Sequence, residues 1–171
     1  MIERKELDAE SLALLKELEA AAYADNPDLI ALSYCEDWNA VAAYIDCAID
    51  DIRLFANSDS YLLIAERANC IEIIDLASRT PHINIKQIVD IVTGFQKPFL
   101  AYCRQTTSYP ILLYMEQKEK IVCFADTAET YENETFHWVA AATTEVYERM
   151  TVSEVEELTD GLRYEEEEYA S

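Results

Sequence analysis

Two apolar, β-branched runs stand three residues apart in this chain: Tyr61–Glu66 (YLLIAE) and Cys70–Ala77 (CIEIIDLA), joined by Arg67, Ala68 and Asn69. Runs of this length and composition read as strands, and so short a link makes them a hairpin. The pattern then alternates. Asn84–Phe95 places Ile85, Ile88, Val89 and Val92 at the i, i+3, i+4, i+7 spacing of a helix with one buried face. Pro98–Cys103 (PFLAYC) reads as a third strand. Ser108–Lys118 reads as a second helix, with Ser108 as N-cap and Pro110 in its first turn. Lys120–Asp126 (KIVCFAD) and Thr135–Ala142 (TFHWVAAA) close the series as strands, and the acidic segment Thr127–Glu134 between them reads as a surface connection.

Ahead of this block the chain is helical. Met1–Leu7 is a short first strand or a lead-in. Asp8 caps a helix that buries Leu12, Leu15, Leu18 and Ala22 and keeps Glu10, Lys16, Glu17 and Glu19 wet. Asp25-Asn26-Pro27-Asp28 ends it with turn chemistry. Leu29–Tyr34 is a helical turn or a short strand. From Glu36 or Asp37 a long helix is expected, with Val41, Tyr44, Ile45, Ala48, Ile49, Ile52 and Phe55 on its buried side, up to the break at Asn57–Ser60. Trp38, near its start, reads as a packing anchor. Beyond Thr144 a capping box at Ser153 and Glu156 starts a peripheral helix, which runs into the acidic end Glu165–Glu168. The expected division is one domain over residues 1–150 and an acidic helix or tail over 151–171. The fold class is α/β, with a mixed, mostly antiparallel sheet of about six or seven strands flanked by about four helices.

Composition excludes several functions. The chain of 171 residues carries a formal net charge of −21, which repels nucleic-acid phosphates and anionic membranes. The five cysteines form no CxxC pair, and Cys70, Cys103 and Cys123 fall in expected strands. They read as free thiols of a reducing compartment. His82 and His137 are the only histidines and have no Cys or His at ligand spacing, so no metal site is expected. The first ten residues have no apolar signal region. A soluble, cytoplasmic protein is the expectation.

The order of elements from residue 8 to 144 resembles the GNAT family of acyl-CoA-dependent N-acyltransferases. Two stretches carry the resemblance. YLLIAERANCIEIIDLAS looks like the family's central hairpin and cofactor-binding strand, and in PFLAYCRQTTSYPILLYMEQKEKIVCF the ending LLYMEQKEKI resembles the family's LYEKLGF. The resemblance implies an acyl-CoA donor, acetyl-CoA or another, lying along the strand that holds Ile74 and Leu76. In that family a loop of the form (Gln/Arg)-x-x-Gly-x-(Gly/Ala) holds the pyrophosphate on backbone N–H groups at a helix start. Here the same stretch, Ser78–Lys86, has no glycine, and Pro81 lacks an N–H. Arg79, His82 and Lys86 are left to offer positive charge.

The implied reaction needs a base for the amine and an acid for the departing thiolate. Tyr114 matches the position of the family's acid; the plainer reading is that it packs on the sheet, and Tyr109 is a second candidate. Glu72 is the candidate base. Strand alternation sets it with Cys70, Ile74 and Leu76, opposite Ile71 and Ile73, which would desolvate it and favour its protonated form. The plainer reading pairs it with Arg67 or Lys86, and Asp75 at the strand end is the fallback. His137 is expected to face solvent or be hydrogen-bonded, with Phe136 and Trp138 on the other side of its strand. Two functions follow. One is acyl transfer to a cationic amine or a basic protein. The other is a non-catalytic, acidic binding protein of the same fold that engages or inhibits a basic, nucleic-acid-binding partner.

Overall fold

The computed structural model describes residues 1–79, 81–118 and 121–170, with the side chains of 81–83, 118 and 162–170 outside the description. Seven strands form one sheet in the order β1-β2-β3-β4-β5-β7-β6. They are β1 (Glu3–Lys5), β2 (Ile52–Ala56), β3 (Ser60–Glu66), β4 (Ile71–Ser78), β5 (Phe99–Arg104), β6 (Ile121–Tyr131) and β7 (Glu134–Thr143). Every neighbouring pair is antiparallel except β4 and β5. The helices are α1 (Ala9–Ala22), α2 (Trp38–Tyr44), α3 (Pro81–Gly94), α4 (Tyr109–Lys118), α5 (Thr144–Arg149) and α6 (Val152–Ala170). None of the described helices is long and apolar enough to cross a membrane.

Each face of the sheet has its own core. Leu62, Ile64, Ile73 and Leu76 pack with Ile88, Val92, Leu112 and Met115 of α3 and α4. On the other face Leu54, Tyr61 and Leu63 pack with Leu12, Leu15 and Leu18 of α1 and with Trp38 and Val41 of α2. Asp8 caps α1: its side chain accepts from Ser11 N at 2.8 Å, and its own N–H donates to Ser11 Oγ at 3.0 Å. The Trp38 indole donates to Asp8 O at 2.8 Å and so anchors α2 beside that cap. α6 lies across β6 and β7.

Three expectations are corrected, and at Leu29–Tyr34 the helical option is the one adopted. The long helix ends at Tyr44, because Asp46 takes a left-handed φ of 53° and Ile52–Ala56 alternates buried and half-buried as a strand does. The spacing of Ile45, Ala48, Ile49 and Ile52 imitates a helix stripe across that break. Leu29–Tyr34 holds parts of two 3₁₀ turns, Pro27–Leu29 and Leu32–Tyr34. The Thr127–Glu134 connection is mostly strand: β6 and β7 meet at Glu132 and Asn133, whose φ values of 51° and 62° make a tight hairpin turn. The last capping box belongs to Thr151 and Glu154, whose N–H groups and side chains exchange bonds of 3.1 Å.

Candidate functional site

The parallel pair β4/β5 holds together for three residues only, Ile71↔Phe99, Glu72↔Leu100 and Ile73↔Ala101. Beyond these the strands run on to Ser78 and Arg104 without pairing to each other. A bulge in β4 marks the separation. Leu63 pairs with Asp75 but Ile64 pairs with Ile73, so Ile74 is the extra residue. At the open ends lies a cleft of ≈ 320 Å³, bordered by Ala22 at the end of α1, Asp25 beyond it, Tyr61, Ser78, Arg104 and Thr107. The carboxyl ends of parallel strands are where open α/β sheets usually take ligands.

A polar network lies beneath this cleft. Tyr61 borders the cleft and donates its hydroxyl to Asp75 Oδ2 at 2.8 Å. Tyr23 donates to Asp75 Oδ1 at 2.9 Å, and Leu76 N–H to the same oxygen at 2.9 Å. Burial pushes the Asp75 carboxyl up against the pull of these three donors. Burial and the neighbouring Asp75 charge raise the Tyr61 and Tyr23 hydroxyls, so both remain protonated donors. Glu19, 3% exposed, adds a second acid. Its carboxyl is pushed up to about 7, first by burial and then by Asp75, although the amides of Leu32, Ala31 and Ser33 oppose this. Leu32 N–H reaches Glu19 Oε1 at 3.0 Å.

Arg104, 1% exposed, is the cationic counterpart. Its guanidinium pairs with Asp25 at 2.8 Å and Glu134 at 2.5 Å and lies 5.3 Å from the centre of the Tyr23 ring. Burial opposes its charge, but these two carboxylates more than offset that and hold it above its usual range. The Arg104 hydrogen bonds hold Asp25 below the usual carboxylate range. A cation so engaged fixes the end of α1 against β5.

The end of β4 carries a different arrangement. Asn84, in the first turns of α3, donates to Ser60 Oγ at 3.1 Å, Ser78 Oγ at 3.3 Å and Asp59 Oδ1 at 3.4 Å. Ser60 Oγ also bonds Asp59 Oδ1 at 2.9 Å and lies 2.7 Å from Ser78 Oγ. A carboxylate of the chain therefore stands beside the start of α3, with exposed Arg79 next to it on the cleft wall.

Among the described residues expected from sequence, only Arg79 borders the cleft. Glu72 lies at the other end of β4, 3.4 Å from Arg67. The bulge corrects the alternation: Ile74 packs with the α1/α2 core and Leu76 with the α3/α4 core, so the two do not share a face. Tyr114 is 36% exposed, while Ile111, Leu112 and Met115 of the same helix are buried. Lys86 is exposed and away from the cleft wall. The His82 side chain lies outside the described residues. Sequence reasoning set Glu19 in water because of its type, yet Leu12, Leu15 and Glu19 are spaced i, i+3, i+7 on the buried stripe.

A separate cluster joins α4 to the β6–β7 hairpin. His137 Nδ1 lies 2.8 Å from Asp126 Oδ1 and its Nε2 2.5 Å from Gln105 Oε1. The Tyr109 ring stacks on it at 3.6 Å, with its hydroxyl on Asp126 Oδ2. On the opposite face Tyr102 stacks between Phe136 and Trp138, at 4.6 and 4.2 Å.

No protein-family model matches the chain, and no curated protein matches it. Solved structures do. A spermidine N-acetyltransferase chimera from Vibrio cholerae and hSSAT superimposes with a TM-score of 0.55 at 9% identity, over 87% of this chain and 99% of that one. The NatC complex bound to Gag peptide and CoA gives 0.51 at 14%, over 83% and 98%. The ribosomal-protein-S18-alanine N-acetyltransferase from Escherichia coli gives 0.50 at 9%, over 84% and 94%. At such identities the likeness is one of architecture, and on that evidence the chain has the GNAT N-acetyltransferase fold.

Proposed function

We propose that this chain is an N-acyltransferase that moves an acyl group from acyl-CoA to a cationic amine. The observation that carries the reading is the cleft at the β4/β5 separation, with Tyr61 on its wall and Asp75 hydrogen-bonded behind it. The described residues fit a slender donor. Ala21, Ala22 and Ala77 line the passage with small apolar side chains, while Ser78, Thr106, Thr107 and Arg79 offer polar groups along it. When bound, acyl-CoA supplies the activated acyl thioester. The cleft wall carries Asp25 and Asp59 beside Arg79 and Arg104, so its own charges balance, and the preference for an ammonium rests on the net charge of −21 over the whole chain. Tyr61 would take the proton that the ammonium must lose while passing its own to Asp75, leaving a neutral Asp75 and an intact phenol; the second N–H proton, lost as the amide C–N bond forms and the thioester C–S bond breaks, would go to the departing thiolate. Glu72 and Tyr114 remain the alternatives drawn from sequence.

Transfer of a radiolabelled acetyl group to polyamines, amino-acid amides and basic peptides tests this. Tyr61→Phe keeps the ring and removes the hydroxyl, so turnover should fall by roughly 10²-fold. Tyr114→Phe and Glu72→Gln, run in parallel, should stay within about twofold of wild type if the Tyr61–Asp75 route is right. A Tyr61→Phe variant with full turnover would refute the assignment.

One observation favours the second reading, a non-catalytic acidic binding protein. Asp59 stands beside the start of α3, where a phosphate would otherwise be drawn to the helix N-terminus. On that reading no acyl-CoA binds, and the acidic surface meets a basic partner. Absence of CoA binding to both wild type and Asp59→Asn would support it.

A further inference from the structure

His137 and its partners carry chemistry that the cleft reaction does not use. Val139 packs into the α3/α4 core, and His137, two residues before it in β7, points to the same side of the sheet. An apolar ring there could stack on Tyr109 and simply extend that core. The imidazole instead sits between two oxygens, with Asp126 Oδ1 2.8 Å from Nδ1 and Gln105 Oε1 2.5 Å from Nε2. A carboxylate and an amide oxygen only accept, so a ring that bonds both carries a proton on each nitrogen. A neutral ring has one N–H and keeps one of the two bonds. The titratable groups around the ring come from each element packed on it. Asp126 comes from β6, Tyr109 from α4, and Cys103, its strand partner, from β5. Burial and then the bond to Asp126 raise the Tyr109 hydroxyl, so it stays a phenol and donates to Asp126. Burial likewise keeps Cys103 a thiol. Glu116 and Cys123 also act on Tyr109. Arg104 turns the other way, to the end of α1. What this cluster holds is part of the cleft wall. Gln105 is exposed and opens the turn that carries Thr106 and Thr107, both of which border the cleft, before α4 begins at Tyr109. Its N–H donates to Thr135 O at 2.9 Å, and among the described residues its side chain bonds His137 alone.

We propose that His137 is a positioning residue of the cleft: its imidazolium clasps Gln105 to Asp126 and so sets Thr106 and Thr107 on the wall, and loss of one ring proton opens the clasp at Gln105. The clasp opens at that end because the remaining N–H stays with the carboxylate, the stronger acceptor. The consequence for donor binding rests on the reading of this cleft as an acyl-CoA site; the clasp itself does not.

¹⁵N NMR of the full chain tests this, with the His137 ring nitrogens followed by long-range ¹H–¹⁵N spectra and Thr106 and Thr107 by their amides. In wild type both ring nitrogens should be protonated at the acid end. As pH rises Nε2 should lose its proton first, and the two amides should move with the same midpoint. Gln105→Leu should leave the ring titrating and abolish the response of the amides, which a through-space effect of the ring charge would preserve. The Kd for acetyl-CoA, by calorimetry, should rise roughly three- to tenfold across the wild-type midpoint, about the worth of one hydrogen bond, and stay flat with pH in Gln105→Leu. A neutral ring protonated on Nε2, or amides that ignore the ring, would overturn the proposal on wild type alone, whether or not the variant folds. Amides that still follow the ring in Gln105→Leu would overturn it too, as would an unchanged Kd in a chain that binds acetyl-CoA. Coupled amides in a chain that binds no acetyl-CoA would support the clasp and overturn the acyl-CoA reading of the cleft instead.

Discussion

Stability measured against pH gives Glu19 a sign and a size. Its carboxyl is displaced from the usual 4.5 to about 7, chiefly by burial and then by Asp75. Between those values the folded chain holds this proton and the unfolded chain has lost it. The contribution to stability is therefore complete below pH 4.5 and disappears as pH rises through about 7. A displacement of that size is worth at most ~3 kcal/mol at ~1.4 kcal/mol per pH unit, and sharing with Asp75 reduces it to ~2 kcal/mol. Glu19→Gln removes the charge and keeps an oxygen for Leu32 N–H. The variant should match wild type near pH 4.5 and exceed it by ~2 kcal/mol at pH 8. In urea, with a slope of roughly 1.5–2 kcal/mol per molar, the midpoint should rise by ~1 M at pH 8 and by almost nothing at pH 4.5. A variant less stable than wild type at pH 8 would refute the reasoning, because the bonds from Leu32, Ala31 and Ser33 would then outweigh the cost of burying the charge.

Three further outcomes are expected. Asp59→Asn should raise CoA affinity roughly five- to thirtyfold by calorimetry, since one carboxylate some ~7 Å from a phosphate costs ~1–2 kcal/mol at an intermediate dielectric; unchanged affinity would detach Asp59 from the site. Burial pushes the thiols of Cys70, Cys103 and Cys123 up to about 11, 12 and 12. At pH 8 these three should alkylate with iodoacetamide at least ~100-fold more slowly than in urea, as read by mass spectrometry, and rapid native labelling would contradict the raised thiols. Gly94 and Gly161 are helical, have ordinary φ and leave open space at a built Cβ. Gly94→Ala and Gly161→Ala should each add ~0.5–1 kcal/mol to stability, additively in the double variant, when measured by urea denaturation.

The central block was legible because its periods are clean. YLLIAE and CIEIIDLA could only pair across three residues, and Ile85, Ile88, Val89 and Val92 could only line one side of a helix. The helix expected to Phe55 fails for a local reason: one left-handed residue, Asp46, separates a helical stripe from an alternating strand that happens to continue its spacing. A polar composition disguised the β6–β7 hairpin, whose arm from Asp126 onward is largely exposed and needs no apolar face. Site residues were harder. The β4 bulge breaks the period on which the facing of Ile74 and Leu76 depended, and sequence carries no sign of it. Asp75 was visible as an acid at a strand end, but its two tyrosines come from the C-cap of α1 and from β3, 52 and 14 residues away. Arg104 was likewise silent, because its partners Asp25 and Glu134 are distant in the chain. Glu19 alone gave a usable signal, an acid on an apolar stripe.

The most direct test is a titration of the ¹⁵N-labelled chain with acetyl-CoA followed by amide shifts. Saturable changes centred on Tyr61, Ala77, Ser78, Arg79, Thr106 and Thr107, which border the cleft, are the expected result. No change at millimolar acetyl-CoA, or changes confined to another surface, would contradict the account.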